Sequence, residues 1–126
     1  MAFGDAGGAV TELIITCRTA GEGDIDIKKG DALKLSDPYT VSNATDAEDV
    51  VFGQAMADAD ANDVAIPVKV RGICIFEYTG TDPVVDGLKG ILASATGGKV
   101  KAPAAGNGVG RNLRVDSAAG KVHVLL

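Results

Sequence analysis

Residues 64–78, V-A-I-P-V-K-V-R-G-I-C-I-F-E-Y, decide the fold class. Apolar residues fall on alternate positions: Val64, Ile66, Val68 and Val70, then Cys74, Phe76 and Tyr78. Lys69, Arg71 and Glu77 stand between them. A period of two marks a half-buried strand, because successive side chains of extended backbone point to opposite faces. Gly72 interrupts the run, as a bulge or sharp bend does. Past it, Ile73 and Ile75 make the second face apolar too. The stretch reads as one long bent strand, half buried at first and covered on both faces later. The second cover is either the chain's own fold or another subunit.

Outward from this strand, the same phrase occurs twice. Residues 30–35 (G-D-A-L-K-L), 51–55 (V-F-G-Q-A) and 64–70 (V-A-I-P-V-K-V) form the first copy. Residues 89–94 (K-G-I-L-A-S), 109–113 (V-G-R-N-L) and 121–126 (K-V-H-V-L-L) form the second. This is a degenerate internal duplication with copies about 40–60 residues apart, a spacing that marks paired supersecondary units sharing a core. Two copies point to a closed sheet rather than a solenoid.

A chain of 126 residues makes one domain with a modest core. Hydrophobic residues make up 46%, yet aromatics only 4% and Trp is absent, so the core must be Val, Ile, Leu and Ala. The 17 glycines and short apolar runs demand many tight turns. Together these predict an all-β domain over residues 10–126.

Along the rest of the chain, residues 10–18 form a strand with Leu13, Ile15 and Cys17 on one face. Residues 20–24 turn, and Ile25 and Ile27 alternate with acids. Residues 32–35 are a short strand, and Ser36-Asp37-Pro38 turns the chain. Tyr39 and Val41 read as a small edge strand. Residues 45–49 read as one helical turn capped by Thr45 or Asp46. Residues 50–56 return to strand. Residues 82–90 are irregular, 95–98 a hairpin loop and 102–110 a loop of small residues.

Residues 1–9 (M-A-F-G-D-A-G-G-A) carry one large apolar side chain, Phe3. Two readings stand side by side: a disordered terminus, or an arm that orders on a partner with Phe3 as anchor. The segment lacks the basic and apolar regions of a signal peptide, and no run reaches membrane-spanning length. The expectation is a protein made in the cytoplasm that stays soluble.

The net charge of −5 argues against binding a nucleic-acid backbone, which needs basic patches. Cys17 and Cys74 lie on apolar strand faces and read as buried thiols. Residues 58–63 begin like a calcium loop, but Asp63 stands where the turn needs Gly and Lys69 where it needs Glu. The reading there is a solvated acidic hairpin. Gly106, Gly108 and Gly110 loosely resemble a phosphate-binding run, but a strand follows where a helix N-terminus is required. His123, the only histidine, sits on the face opposite Val122 and Val124 with no metal-ligand partner set. No Ser or Cys has a nucleophile-elbow context, and the spacing selects no carboxylate pair. The expectation is a non-enzymatic protein without cofactor, metal or catalytic residues.

One set of ordered phrases carries a resemblance. A small-residue arm is followed by T-A-G-E-G-D-I-D-I-K-K-G-D-A-L-K-L (19–35), V-F-G-Q-A-M-A-D-A (51–59) and V-A-I-P-V-K-V-R-G-I (64–73). A second G-I-L-A-S unit and a closing V-H-V-L-L complete it. The chain resembles the capsid-decoration (head cement) proteins of tailed bacteriophages over residues 14–126, departing at residues 82–90. The resemblance implies a compact β-barrel or β-tulip-like domain that binds the outer surface of an assembled head. It implies a homotrimer at local three-fold positions, contacting the major capsid protein, and an arm that adds a strand to it. On this reading Ala2, Phe3, Gly4, Asp5 and Val10 are the capsid-binding arm residues, and Ile73 and Ile75 the inter-subunit contacts. The location would be the virion surface. Two further readings are a β-fold binding module for a carbohydrate or cell-surface ligand, and a small β-barrel enzyme. The first lacks aromatic platforms beyond Phe3, Tyr39, Phe52, Phe76 and Tyr78, and the second lacks a convergent polar pocket.

Overall fold

The computed structural model describes residues 12–43 and 45–126. The arm residues Ala2, Phe3, Gly4, Asp5 and Val10 lie outside the described part. Among the described residues ten strands make the fold: β1 (Leu13–Thr19), β2 (Ala32–Asp37), β3 (Thr40–Ser42), β4 (Gly53–Ala55) and β5 (Ala65–Arg71), then β6 (Ile73–Thr79), β7 (Leu92–Ala93), β8 (Val100–Lys101), β9 (Arg111–Asp116) and β10 (Lys121–Leu125). The all-β expectation holds.

The long central strand is two strands. Gly72, at φ 113°, reverses the chain between β5 and β6, and each half enters a different sheet. The first five strands close a barrel in the order β1-β3-β2-β4-β5. The last five form a sheet in the order β7-β8-β6-β10-β9.

The duplication is visible strand by strand, with β1–β5 answered by β6–β10. β1 runs parallel to β3 and antiparallel to β5, as β6 runs parallel to β8 and antiparallel to β10. β2 pairs β3 and β4 pairs β5, as β7 pairs β8 and β9 pairs β10, all antiparallel. The β2/β4 contact has its counterpart in one antiparallel bridge, Ile91 to Val109, which draws the ends of the second sheet together. Glycine makes that approach possible. A Cβ on Gly90 would lie 1.9 Å from Val109 O, and one on Gly108 would lie 2.5 Å from Ile91 O. The glycines of residues 106–110 thus serve close backbone approach rather than a phosphate.

Each lobe has its own core. The first gathers Cys17, Ile25, Ile27, Leu33, Val41, Ala55, Ile66 and Val68. The second is built on Cys74, Phe76, Ile91, Val100, Val122 and Val124, joined by Ala32 and Val51 from the first lobe. The alternation read in residues 64–78 therefore holds for Ile66, Val68, Cys74 and Phe76, all buried. Full burial of each such side chain is worth about 1.5–3 kcal/mol.

Several local expectations need correction. Tyr39 is not in an edge strand; it occupies the β2–β3 turn at φ 52°. Residues 45–49 make a turn, not a helix: the Asp46 amide donates to Asp49 Oδ2 at 2.8 Å, and Thr45 Oγ1 donates to Ser94 O at 2.8 Å instead of capping. The strand of 50–56 shrinks to Gly53–Ala55. Ile25 and Ile27 are buried without a strand, Ile27 forming only a bridge to Ala59. Lys69 points inward and is only 9% exposed. Among the described residues no helix is long and apolar enough to cross a membrane.

Candidate functional site

Ile73 and Ile75 lie on the outer face of β6, opposite the buried Cys74 and Phe76. The described part of the chain does not cover this face. Ile75 is 46% exposed and Ile73 half-buried, so β6 is packed on one side only and the two-sided cover read from the sequence is not found within the described residues.

The strand register fixes what surrounds them. Ile75 faces His123 on β10, which faces Arg114 on β9. Ile73 faces Leu125 and then Arg111; Glu77 faces Lys121 and then Asp116. Directly opposed residues share a face. The outer surface is thus a three-strand sheet with an apolar middle and charged rows at its ends. Leu125, on the same face, is 41% exposed. Glu77 also lies 3.6 Å from the Lys99 ammonium.

Beside Ile75 a cleft of about 320 Å³ opens between the lobes, lined by Lys28, Lys29, Gly30, Asp31, Ile75, Glu77, Gly98 and Lys121. Its base is held by Gln54. The Gln54 amide donates to Ile75 O at 2.7 Å and to Gly30 O at 3.2 Å, joining the lobes. One wall is fixed by Asp31, whose carboxylate accepts from the Lys28 amide at 3.0 Å and from Asn43 Nδ2 at 3.1 Å. The Lys29 amide donates to Asp58 Oδ1 at 2.7 Å, giving one acid of the calcium-like segment a structural task.

A second feature lies on the first lobe. The Tyr39 side chain, 71% exposed, borders an open cleft of about 410 Å³ with Thr16, Arg18, Pro38, Asp63 and Ala65. Arg18 Nε lies 3.6 Å from Asp63 Oδ1.

Neither region assembles catalytic chemistry. The two cysteines are buried free thiols, as read from the sequence. Burial pushes the Cys74 thiol up to about 11 and the Cys17 thiol up as well, away from nucleophilic thiolate character. Among the described residues no three His, Cys, Asp or Glu side chains gather to hold a metal ion. What these faces offer is shape, apolar area and charge, the ingredients of protein contact.

The sequence reading found Ile73 and Ile75 but missed Tyr39, Gln54 and Lys69. The D-P-Y-T turn was half legible, since Pro38 favours the first central turn position and displaces Tyr39 into the second. Nothing in a strict alternation announces an inward Lys69. No family model matches the chain, and no curated protein matches it.

Proposed function

We propose that this protein is a structural capsid-decoration (cement) protein of a tailed bacteriophage. It sits on the outer surface of the assembled head as a homotrimer at local three-fold positions. There it bridges neighbouring major capsid protein subunits, and residues 1–9 act as the capsid-binding arm. The observation that carries this reading is the uncovered outer face of β6, β10 and β9, where Ile73, Ile75 and Leu125 form an apolar middle framed by charged rows. Such a face is expensive to leave in water and is suited to a second subunit.

The body itself suits a staple. Two lobes are tied together across Gly72, whose amide and carbonyl pair with Leu126 at 3.3 and 2.9 Å, and Gln54 bridges the lobes. A block with two cores and several inter-lobe bonds transmits load with little deformation. Individually weak contacts repeated over a shell then add up through effective concentration. The arm supplies main-chain hydrogen bonds to an exposed capsid strand edge.

The test is co-sedimentation with expanded, undecorated heads of the source phage, using the full chain and a version lacking residues 1–9. Saturable binding by the full chain, weakened in the truncation, is expected. Absence of binding by either would overturn the reading.

A further inference from the structure

We propose that Tyr39 of one copy docks into the inter-lobe cleft beside Ile75 of the next copy, and that this head-to-tail contact closes the homotrimer. The inference rests on the trimeric reading above and gives it a geometry.

The argument starts from the molecule's own duplication. A step of 59 residues takes Thr19 to Tyr78 and Val41 to Val100, the register partners of β1/β3 and β6/β8. The same step takes Tyr39 to Gly98. Both residues stand in the left-handed region, at φ 52° and φ 79°. The second lobe thus uses the residue this backbone favours, and the first uses one it disfavours. Nothing in the packing of the first lobe asks for tyrosine, because the side chain is 71% exposed. A bulky residue kept in a strained, exposed place points to recognition.

Tyr39 is also held ready. Its carbonyl accepts the Arg18 amide at 2.7 Å, and Thr40 Oγ1 donates to Pro38 O at 3.0 Å, closing the turn. A preordered aromatic anchor loses little entropy on docking, and tyrosine is prominent among residues that dominate interface energy.

Charge selects the occupant. Beside Tyr39 stand Asp37 and Asp63 against one cation, Arg18. The cleft beside Ile75 carries three lysines, Lys28, Lys29 and Lys121, against two acids, Asp31 and Glu77. In a chain of net charge −5, this makes a net-positive cleft and a net-negative knob. Two knobs face to face would oppose like charges, whereas knob to cleft is complementary. Two different patches meeting in this way make a heterologous contact, which generates rings when the rotation closes.

The test is sedimentation equilibrium on the full chain, on Tyr39→Gly, on Ile75→Glu, and on an equal mixture of the two variants. Tyr39→Gly relieves the left-handed strain, and Ile75→Glu alters an exposed side chain, so circular dichroism should show both folded. The expected result is a trimeric wild type and variants whose association is at least tenfold weaker. The mixture should form one-to-one dimers, because one intact knob and one intact cleft remain. A Tyr39→Gly protein that still forms trimers overturns the proposal, and so does a mixture that stays monomeric. A wild type that is monomeric at every concentration overturns both this contact and the trimer. Trimers that obey these rules but ignore capsids leave the contact standing and remove the decoration reading.

Discussion

Across the reversal at Gly72, the Lys69 ammonium donates to the Ile73 carbonyl at 2.7 Å, tying the end of the first lobe to the start of the second. The same ammonium lies 2.9 Å from Glu12 Oε2. The Lys69 side chain is 11% exposed and that of Glu12 47%, so the two partners are not equal. Lys69→Met removes both contacts and should destabilise the fold by about 1–3 kcal/mol. Glu12→Gln leaves the Ile73 contact in place and should cost no more than about 1 kcal/mol. Urea unfolding of both variants checks this order. Equal costs would show that the ion pair, not the carbonyl tie, is what Lys69 contributes.

Three carboxyls make stability depend on acid. Glu48 is held below the usual carboxylate range first by the Lys101 ammonium at 2.6 Å, then by the Ala104 amide at 2.9 Å. Asp49 is lowered by the Asp46 amide and then by Lys34; Asp86 by the amides of Lys89 and Leu88. Each has a folded value below its unfolded one. The stabilisation is therefore complete above the unfolded value and disappears as pH falls through the folded one. The melting temperature should stay level from neutrality to about pH 5 and drop below that. Glu48→Gln should melt lower at neutral pH and show a shallower acid decline. A variant whose acid decline is as steep as wild type would remove Glu48 from this account.

Much of the architecture was legible because period-two alternation and repeated phrases are local signals. Ile66, Val68, Cys74 and Phe76 face the cores as their spacing requires, and the paired segments 51–55 and 109–113 do occupy matching places. What local pattern lacks is chain direction through space. Gly72 shows in sequence as an interruption, yet bend and complete transfer to another sheet look alike there. Lys69 alternates outward on paper but is drawn inward by a carbonyl four residues on, and Tyr39 sits in a conformation that only the fold imposes. Ile75 was legible as apolar, but only the folded lobes show that it stays open to solvent.

The thiols offer a direct check on the two cores. Cys17 and Cys74 belong to different lobes and are 3% and 0% exposed. Burial raises both, Cys74 to about 11, so thiolate is scarce at ordinary pH and access is closed. In native protein at about pH 8 both should resist a chromogenic disulfide reagent, and both should react at once in denaturant. If the lobes open separately, Cys17 and Cys74 will be labelled at different rates at intermediate urea. One shared rate is expected, because Ala32 and Val51 of the first lobe pack in the second core.

The duplication can itself be tested energetically, through Gly53 and Gly110. A Cβ on Gly53 would lie 2.7 Å from Lys69 O and 2.7 Å from Val68 Cγ1. A Cβ on Gly110 would lie 2.7 Å from Leu125 O and 2.7 Å from Val124 Cγ1. Val68 and Val124 are the matching core residues of β5 and β10, so each glycine admits the same neighbouring strand in its own lobe. A carbonyl oxygen in a ladder has little freedom to move aside, and overpacking of this kind costs about 1–3 kcal/mol. Gly110 also has φ +71°, which adds roughly 1–2 kcal/mol for any residue with a Cβ. Gly80, at φ +76° with open space for 4 Å around the place a methyl group would take, isolates the conformational part alone. The expected order of destabilisation is therefore Gly110→Ala above Gly53→Ala, with Gly80→Ala at or below Gly53→Ala. Thermal and urea unfolding of the three variants decide it. If Gly53→Ala and Gly110→Ala both unfold like wild type, the close approach of β4 to β5 and of β9 to β10 is not what the glycines secure, and the correspondence between the lobes is one of topology alone.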